Sequence, residues 1–260
     1  MGVRVVQWNM RINSDAHAIS ERVRMATRSP TIVHLQEVSQ SAFATLSEQL
    51  DPDGIGFSLV HRPPGKNEGR NRRMGVATLT FGAEIVGAFL VERSVFPERT
   101  LVAEIEILGS KVRTLNFHSL TGVDYKKAKS SNFASIADFL ESDDLDFLCC
   151  DANEPKTDSM IESEVEFFDN GDRGRCAAKV FGCDSRHGLL DSYKAYLRSS
   201  GSEVKTSPLA TSHVVAGRPR RYDHVFHAPR WQVEVMRYDY DSAVRASSDH
   251  AIVVADFRRT

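Results

Sequence analysis

The stretch LDFLCC at residues 145–150, followed directly by Asp151 and Asn153, decides the fold that we predict. A short and largely apolar run is typical of a strand that is buried on both faces of a sheet. Polar side chains that come directly after such a strand lie at the edge of the sheet, where they can face a ligand. The stretch therefore predicts a buried central strand with polar groups at its carboxyl end.

Strand-like and helical stretches alternate on both sides of this run. Just before it, residues 128–141 predict an amphipathic helix, because Phe133, Ile136, Ala137 and Leu140 share one face. Further strands are predicted at residues 3–8, 31–36, 75–81, 84–91, 101–108, 111–118, 221–227, 231–238 and 251–257, and further helices at residues 16–26, 39–50 and 188–199. Strands with only occasional helical crossovers favour an α/β sandwich of two mixed, mostly antiparallel sheets over a TIM barrel. No Ser/Gly-rich linker divides the chain, so we expect a single domain over residues 1–260.

The composition excludes several classes of protein. The 260 residues are 41% hydrophobic and 26% charged, which is unlike a disordered, collagen-like or coiled-coil chain. No apolar run approaches the ~20 residues of a membrane-spanning helix, and the first residues lack the apolar stretch of a signal peptide. We therefore expect a cytoplasmic, monomeric protein with no membrane partner.

The charge balance excludes a protein that coats nucleic acid by bulk electrostatics. The formal net charge is −2, whereas such proteins are strongly basic. The positive charge is rich in guanidinium, with 24 Arg and 9 Lys. Arginine suits bidentate phosphate contacts, although the base composition of a genome can also raise the arginine content. A polyanionic substrate would have to meet a local basic patch.

The four cysteines do not predict a disulfide framework or a zinc site. Cys149 and Cys150 are adjacent within an apolar run, which is a poor geometry for a bond between them. Cys176 and Cys183 lack the C-x-x-C spacing of zinc ligands. We expect reduced thiols and no disulfide partner.

Residues of the types that bind metals or transfer protons stand at the ends of the predicted strands. In chain order they are Asn9, Glu37, His118, Asp151, Asn153, Asp223, His224, Asp249 and His250. Carboxylate and amide oxygens suit Mg²⁺ or Mn²⁺ better than zinc, which prefers clusters of His and Cys. The remaining His and Asp residues can supply a base and its orienting partner, as metal-assisted hydrolysis requires. Each residue alone is more often a turn residue or a cap, but the ordered set predicts an active site.

This ordered set resembles the successive motifs of a known superfamily. The segments are Gln7-Trp8-Asn9, Leu35-Gln36-Glu37-Val38, Asn116-Phe117-His118, Cys150-Asp151-Ala152-Asn153, Arg221-Tyr222-Asp223-His224 and Ser248-Asp249-His250. Their order and approximate spacing are similar to those of the endonuclease/exonuclease/phosphatase superfamily, the DNase I-like metal-dependent phosphohydrolases. The resemblance spans residues 7–250. It departs from the usual pattern at Cys150, where the family usually has Gly, and at Arg11, where some nucleases have an acid.

The resemblance implies a four-layered α/β sandwich, with the active site at one edge where the two central sheets meet. It also implies a role for each motif residue. Glu37 would be the principal ligand of Mg²⁺ (or Mn²⁺), with Asn9 and Asp249 near the metal. Asp151 would orient or deprotonate the attacking water, Asn153 would hold a phosphate oxygen, and His118 would contact the scissile phosphate. His250 would stabilise the charge that develops in the transition state, and Asp223 would hydrogen-bond to its ring.

Five arginines are candidates for contacts with substrate phosphate. Arg99 precedes a predicted strand at a place where the family often has an arginine, and Arg11 follows the first motif. The others are Arg72 and Arg73, in the basic loop at residues 61–74, and Arg221. The loop, the cluster at residues 218–221 and a third at residues 126–129 each adjoin a site motif, which favours an extended anionic substrate. An ordinary solvated loop remains the alternative for residues 61–74.

These observations lead us to expect a divalent-metal-dependent phosphodiesterase that acts on nucleic acid, such as an endonuclease or a repair-like hydrolase. The alternative is a phosphatase or phosphodiesterase that acts on a small phosphorylated metabolite or an inositol phosphate. A hypothesis from another class is a catalytically silent scaffold that binds a partner through the same surface. Loss of Glu37, Asp249 or His250 would indicate such a scaffold, and all three are present.

Overall fold

A computed structural model describes residues 2–168, 175–202 and 206–260, apart from the side chains of residues 70 and 123–126. The strands are β1 (Gly2–Asn9), β2 (Thr31–Val38), β3 (Gly54–Phe57), β4 (Gly75–Phe81), β5 (Glu84–Phe89), β6 (Thr100–Ile107), β7 (Ser110–His118), β8 (Phe147–Asp151), β9 (Leu190–Asp191), β10 (His213–Val215), β11 (Arg218–Arg220), β12 (Asp223–His227), β13 (Trp231–Asp239) and β14 (Ile252–Arg259). The helices are α1 (Ala16–Ala26), α2 (Gln40–Leu50), α3 (Ser58–His61), α4 (Gly122–Ser142), α5 (Ala178–Phe181), α6 (Ser192–Ser200) and α7 (Tyr240–Arg245).

The strands form two six-stranded sheets and a separate hairpin. The first sheet has the order β13-β14-β1-β2-β4-β3, the second has the order β5-β6-β7-β8-β12-β9, and β10 pairs with β11. Both sheets are mixed, because β1 pairs with β2 and β7 pairs with β8 in parallel while the other pairs are antiparallel. The parallel pairs are those joined by a crossover helix, α1 in one sheet and α4 in the other.

The alternation of side chains along β1 shows why the sheets stack. Val3 and Val5 belong to a buried cluster that also contains Phe147 of β8, so this face of β1 meets the second sheet. Val6 and Trp8 belong to the cluster that contains residues of α1 and α2. Apolar side chains on both faces bury each sheet between its partner sheet and helices, with a stabilisation of about 25 cal/mol per Å² of apolar surface removed from water.

The outer face of the second sheet is covered by α4. Phe133, Ile136, Ala137 and Leu140 are all buried in one cluster with Leu148 and other residues of the sheet. This confirms the predicted apolar face, although the helix begins earlier, at Gly122. The layers run helices, sheet, sheet, helices, and this confirms the predicted four-layered α/β sandwich. Among the described residues, none of the helices combines the length and apolar character needed to cross a membrane.

Some predicted boundaries differ from the observed ones for physical reasons. The helix predicted at residues 188–199 begins at Ser192, because Leu190 and Asp191 pair with β12. Asp191 then caps the helix by accepting hydrogen bonds from the backbone N–H groups of Tyr193 and Lys194. The short strand β3 and the β10–β11 hairpin were not predicted, since runs of three or four residues are too short to show a recognisable hydrophobic period.

The register of the strands brings their ends to one edge of the molecule. In the parallel pairs, Asn9 lies opposite Gln36 and His118 lies opposite Asp151. The antiparallel strand β12 begins at the same edge, with Asp223 opposite Asp151. The polar residues that follow or begin these strands are therefore neighbours in space, as the pattern at the strand ends predicted.

Candidate active site

A cavity of about 540 Å³ opens at this edge. Eight of the residues singled out in the sequence line it: Arg11, Glu37, Arg99, His118, Asp151, Asn153, Asp249 and His250. Asn9 and Asp223 are buried behind the cavity wall, where each contacts a lining residue. The structure thus brings the predicted catalytic and metal-binding residues together.

His250 is held between two carboxylates. Its Nδ1 lies 2.8 Å from Oδ2 of Asp223, and its Nε2 lies 3.9 Å from Oδ2 of Asp151. Asp223 accepts a further hydrogen bond from Nε2 of Gln7 at 3.0 Å. Because a carboxylate can only accept, Nδ1 of His250 carries a proton and Nε2 is directed to the other side.

The electrostatics of this triad separate the protonation states of its members. Burial opposes a charge on His250, but the charges of Asp223 and Asp151 outweigh it and raise the pKa of His250 to about 10. Burial likewise opposes a charge on Asp223, but His250 lowers the pKa of Asp223 below its ordinary value. Burial raises the pKa of Asp151 to about 6. The negative charge of Asp223 also raises this pKa, and the positive charge of His250 lowers it. The ring of His250 is therefore a cation at neutral pH, beside a carboxylate that is poised to accept a proton.

Glu37 occupies an irregularity at the end of β2. The register of β2 against β4 shifts between Leu35 and Val38, and Glu37 has a φ of 58°. A glutamate in the left-handed region is strained, typically by about 1–3 kcal/mol, and such residues concentrate at functional sites. The bulge turns the Glu37 carboxylate to the cavity, where its Oε2 accepts a hydrogen bond from the backbone N–H of Ile12 at 2.8 Å.

The donor set around Glu37 suits a hard divalent cation. The amide nitrogen of Asn9 lies 3.4 Å from Oε1 of Glu37 and 2.9 Å from Oδ2 of Asp151, so the two carboxylates are close neighbours. In the described part of the chain, no Lys or Arg nitrogen lies within 4.0 Å of the Glu37 carboxylate. Two adjacent carboxylates and a cavity open to water suit Mg²⁺ or Mn²⁺, while the amide nitrogen of Asn9 lies between the two carboxylates. Asp249 lines the same cavity, and its Oδ2 lies 3.9 Å from Nε of Arg11.

His118 and Asn153 complete the wall of the cavity. Nε2 of His118 lies 3.5 Å from Oδ2 of Asp151 and 3.8 Å from Oε1 of Glu37. Burial, and then the positive charges of Arg99 and His250, hold the pKa of His118 well below its usual value, so the ring is neutral. Asn153 has a φ of 49°, and its backbone N–H donates to Oδ1 of Asp151 at 3.0 Å.

A chain of buried amides lies beneath the site and joins the two sheets. Nε2 of Gln7 donates to Oε1 of Gln36 at 2.8 Å, and Nε2 of Gln36 donates to Oδ1 of Asn116 at 2.8 Å. Gln7 also donates to Asp223, so the chain ends on the partner of His250. These three amides were assigned no role from the sequence, although all of them fall inside the quoted motifs. Polar residues in the interior of an apolar strand were the signal that could have identified them.

Two of the five candidate arginines line the cavity. Arg11 is largely exposed, and its backbone N–H donates to Oδ1 of Asn9 at 2.9 Å. Arg99 is buried, and its guanidinium donates to the backbone oxygens of Ser119 and Asn71 at 3.5 and 3.3 Å. Both side chains bring positive charge to a cavity that otherwise contains several acids.

The other three arginines do not line the cavity. Arg72 forms an ion pair with the buried Glu98 at 3.0 Å, and exposed Arg73 donates to the backbone oxygen of Lys66 at 3.5 Å. Arg221 is 2% exposed and forms ion pairs with both Asp158 and Asp191, at 2.7 and 2.9 Å. We therefore assign Arg221 a structural role in place of the phosphate contact that its position in the sequence suggested.

The basic cluster at residues 126–129 is not wholly a surface feature, because one of its lysines is buried. Lys129 is buried, where its Nζ lies 2.6 Å from Oε1 of Glu154 and 2.8 Å from the backbone oxygen of Asn153. Lys127 is exposed, and the side chain of Lys126 lies outside the described residues. Lys129 therefore anchors the segment that carries Asn153 and does not contribute to a surface patch.

The chain is similar to known proteins in its fold and not in its sequence. No family model and no curated protein matches the chain. Among solved structures, D. rerio TDP2 complexed with single strand DNA product is similar, with 13% identity, a TM-score of 0.64 and coverage of 99% of each chain. The human Nocturnin catalytic domain with bound sulfate has 18% identity and a TM-score of 0.66, covering 100% of this chain and 95% of that one. An endonuclease/exonuclease/phosphatase from Bacteroides vulgatus has 15% identity and a TM-score of 0.62, covering 100% of both chains. The chain therefore has the fold of the endonuclease/exonuclease/phosphatase superfamily.

Proposed function

We propose that the protein is a divalent-metal-dependent phosphodiesterase of the endonuclease/exonuclease/phosphatase superfamily, and that its substrate is nucleic acid. The observation that carries the proposal is a cavity lined by Glu37, Asp151 and His250, with Asp223 and Asn9 buried directly behind its wall. A cationic donor, a carboxylate base and a carboxylate that can bind a metal are what metal-assisted hydrolysis of a phosphoric ester requires.

The residues divide the chemistry between them. Glu37 would hold Mg²⁺ or Mn²⁺, which when bound acts as a Lewis acid on the phosphoryl group. Asn9 would orient the carboxylates of Glu37 and Asp151 beside it. Asp151 would orient the attacking water and accept its proton, since its raised pKa makes it a better base than an exposed aspartate. His250 would donate from Nε2 to the oxygen on which charge develops, while Asp223 keeps the ring in place and charged.

His118, Asn153 and the arginines would bind the phosphate that is attacked. His118 is neutral, and its Nε2 lies near two carboxylates, which favour a proton on this nitrogen that can be donated to a phosphate oxygen. The side-chain amide of Asn153 lines the same wall. Arg11 and Arg99 add charge-assisted donors, which are about twice as strong as neutral ones.

Nucleic acid is supported as the substrate by two observations. D. rerio TDP2, which shares the fold, was crystallised with a single strand DNA product. Exposed basic side chains, including Arg73, Lys66 and Arg218, also lie beyond the cavity on the loop and hairpin that border the site. An extended strand would meet such charges, and its affinity would fall as the salt concentration rises.

A small phosphorylated metabolite is the second candidate, and the ion pairs of Arg72 and Arg221 favour it. Both arginines are satisfied by internal carboxylates and so do not extend the basic surface. A cavity of about 540 Å³ is of the size that holds a small ligand. Hydrolysis of inositol phosphates or other small esters, at rates that do not depend on salt, would favour this candidate over nucleic acid.

The function is tested by a hydrolysis panel with Mg²⁺, Mn²⁺ or EDTA. The substrates are duplex, single-stranded and abasic DNA, RNA, a 5′-tyrosyl oligonucleotide, inositol phosphates and bis-p-nitrophenyl phosphate. We expect EDTA to abolish activity and Glu37→Gln to lower kcat by about 100-fold or more, because the metal supplies several kcal/mol to the transition state. Glu48→Gln, on the exposed face of α2, is the matched control and should leave the rate unchanged. Activity that survives EDTA, or equal rates for the two variants, would contradict the proposal.

The role of the cavity arginines is tested by comparing Arg11→Ala with Arg73→Ala. Both side chains are exposed, but only Arg11 lines the cavity. Loss of a charge-assisted phosphate contact should lower kcat/KM by about tenfold for Arg11→Ala. Arg73→Ala should change kcat/KM by less than about twofold on a short substrate. Equal losses on a short substrate would show that Arg11 makes no special contact with the scissile phosphate.

A further inference from the structure

The β10–β11 hairpin, which the sequence analysis did not identify, places a second histidine against His250. His213 is the first residue of β10 and lines the cavity. Its ring stacks on the ring of His250, with the centroids 4.2 Å apart and the planes at 16°. One face of the charged imidazole is thus covered by another aromatic ring, an arrangement that restricts its rotation.

His213 is also fixed to the loop that carries His250. Its Nδ1 lies 2.7 Å from the backbone oxygen of Asp249. Since a carbonyl oxygen can only accept, Nδ1 of His213 is the protonated nitrogen. The hairpin itself is joined to the same loop, because the backbone N–H of Ala251 donates to the oxygen of Ser212 at 2.7 Å. His213 therefore holds this loop by a ring contact and a hydrogen bond.

The loop needs such anchors because it is irregular. Ser247 has a φ of 68°, and the segment that follows it presents Asp249 and His250 to the cavity. Other contacts hold its other groups: Nε1 of Trp8 donates to the backbone oxygen of His250 at 2.9 Å, and the hydroxyl of Ser248 donates to the oxygen of Asn9 at 2.7 Å. Neither contact touches the face of the His250 ring, against which the ring of His213 packs.

We propose that His213 is a positioning residue, which holds the ring of His250 and the carbonyl of Asp249 in the arrangement that catalysis requires. The inference rests on the proposed function, because it assigns His213 an effect through His250. Removing the partners that orient the ligands of a metal site typically lowers activity by about 10- to 100-fold, and we expect a loss of this size for a residue that orients His250. His213→Ala should lower kcat by this factor and change KM by less than about twofold, because the contacts that it removes are those to His250 and Asp249.

Two conservative variants separate the contacts of His213. His213→Phe restores an aromatic ring without the hydrogen bond, and His213→Asn restores a donor near the Nδ1 position without the ring. Each should recover part of the kcat that His213→Ala loses. His17→Ala, at an exposed histidine of α1, is the matched control and should leave kcat unchanged. If neither His213→Phe nor His213→Asn has a higher kcat than His213→Ala, then His213 does not act through these contacts and the inference is overturned.

A double-mutant cycle tests whether the effect passes through His250. When His250 is already alanine, His213→Ala should lower kcat by less than about twofold further, since residues that act as a unit are not additive. In a Glu37→Gln background, His213→Ala should lower kcat by the same factor as it does in the wild type. A full loss in the His250→Ala background would overturn the inference.

An NMR measurement distinguishes failure of the inference from failure of the proposed function. The ring signals of His250, assigned by their absence in His250→Ala, should move in His213→Ala and stay in place in His17→Ala, with or without activity. Unchanged signals in His213→Ala would overturn the inference alone. A wild-type protein that hydrolyses nothing in the panel would overturn the proposed function, and the NMR comparison would still decide whether His213 holds the ring.

Discussion

His250→Ala should lower kcat by about 10³-fold or more, the largest loss of activity that we expect from a single substitution. The imidazole is buried, its Nδ1 is 2.8 Å from Asp223, and its pKa is raised to about 10. It is therefore a fixed cation at neutral pH and needs no rearrangement when charge develops on the phosphoryl oxygens. Steady-state kcat and KM on the substrate identified by the panel measure the loss.

Asp223→Asn is the companion variant, because it keeps the ring and removes the charge that holds it. The negative charge of Asp223 raises the pKa of His250, so its removal lets His250 lose its proton at a lower pH. The alkaline limb of the profile of kcat against pH should therefore move to lower pH, with a smaller loss of kcat at neutral pH than in His250→Ala. The pH profile of the wild type, recorded with the same metal, is the reference.

Two results would contradict the role of His250. One is a kcat in His250→Ala within tenfold of the wild type, with an unchanged thermal unfolding temperature. The other is an alkaline limb that stays in place in Asp223→Asn. The unfolding temperature is needed because His250→Ala also leaves the carboxylates of Asp223 and Asp151 buried without their cation, which costs stability.

The position of the site could be predicted because it depends on strand ends. Each of Asn9, Glu37, His118 and Asp151 follows an apolar run that is recognisable in the sequence, and parallel pairing brings these ends to one edge. The bulge that turns Glu37 to the cavity could not be predicted, because a positive φ at a glutamate has no local signature. It is imposed by the tertiary structure, through contacts such as the hydrogen bond from the backbone of Ile12.

The residues that sequence reasoning missed or misplaced all depend on contacts between distant segments. His213 meets His250 across 37 positions of sequence, on a hairpin too short to show a period. Lys129 and Arg221 belong to basic clusters in the sequence, but their partners Glu154 and Asp191 are acids that only the fold brings near. A run of positive charges predicts a surface patch only when no buried acid neutralises its members.

Arg221→Ala should lower the free energy of unfolding by about 3–5 kcal/mol, the largest loss of stability that we expect. The guanidinium is buried between Asp158 and Asp191, with distances of 2.7 and 2.9 Å, so its removal leaves two carboxylates in the interior without a cation. The thermal unfolding temperature should fall by roughly 10 °C in a chain of this size. Arg218→Ala, on the exposed neighbouring strand β11, should change the free energy by less than about 0.5 kcal/mol.

The dependence of this loss on pH distinguishes a buried ion pair from a phosphate contact. In the wild type, burial opposes the charges on Asp158 and Asp191, but Arg221 outweighs it and lowers the pKa of each below its unfolded value. The stabilisation is therefore present above the unfolded pKa of about 4 and is lost as the pH falls through the lower pKa of the folded state. Without Arg221, burial raises the pKa values of Asp158 and Asp191 in the folded state, so protonation of these carboxyls stabilises the folded variant. The difference in the free energy of unfolding between wild type and Arg221→Ala should therefore become smaller as the pH falls from neutral to about 4. A loss of stability that does not depend on pH would contradict the role of the two ion pairs. A raised KM with no loss of stability would show that Arg221 serves the substrate, as its position beside the Asp223 motif suggested.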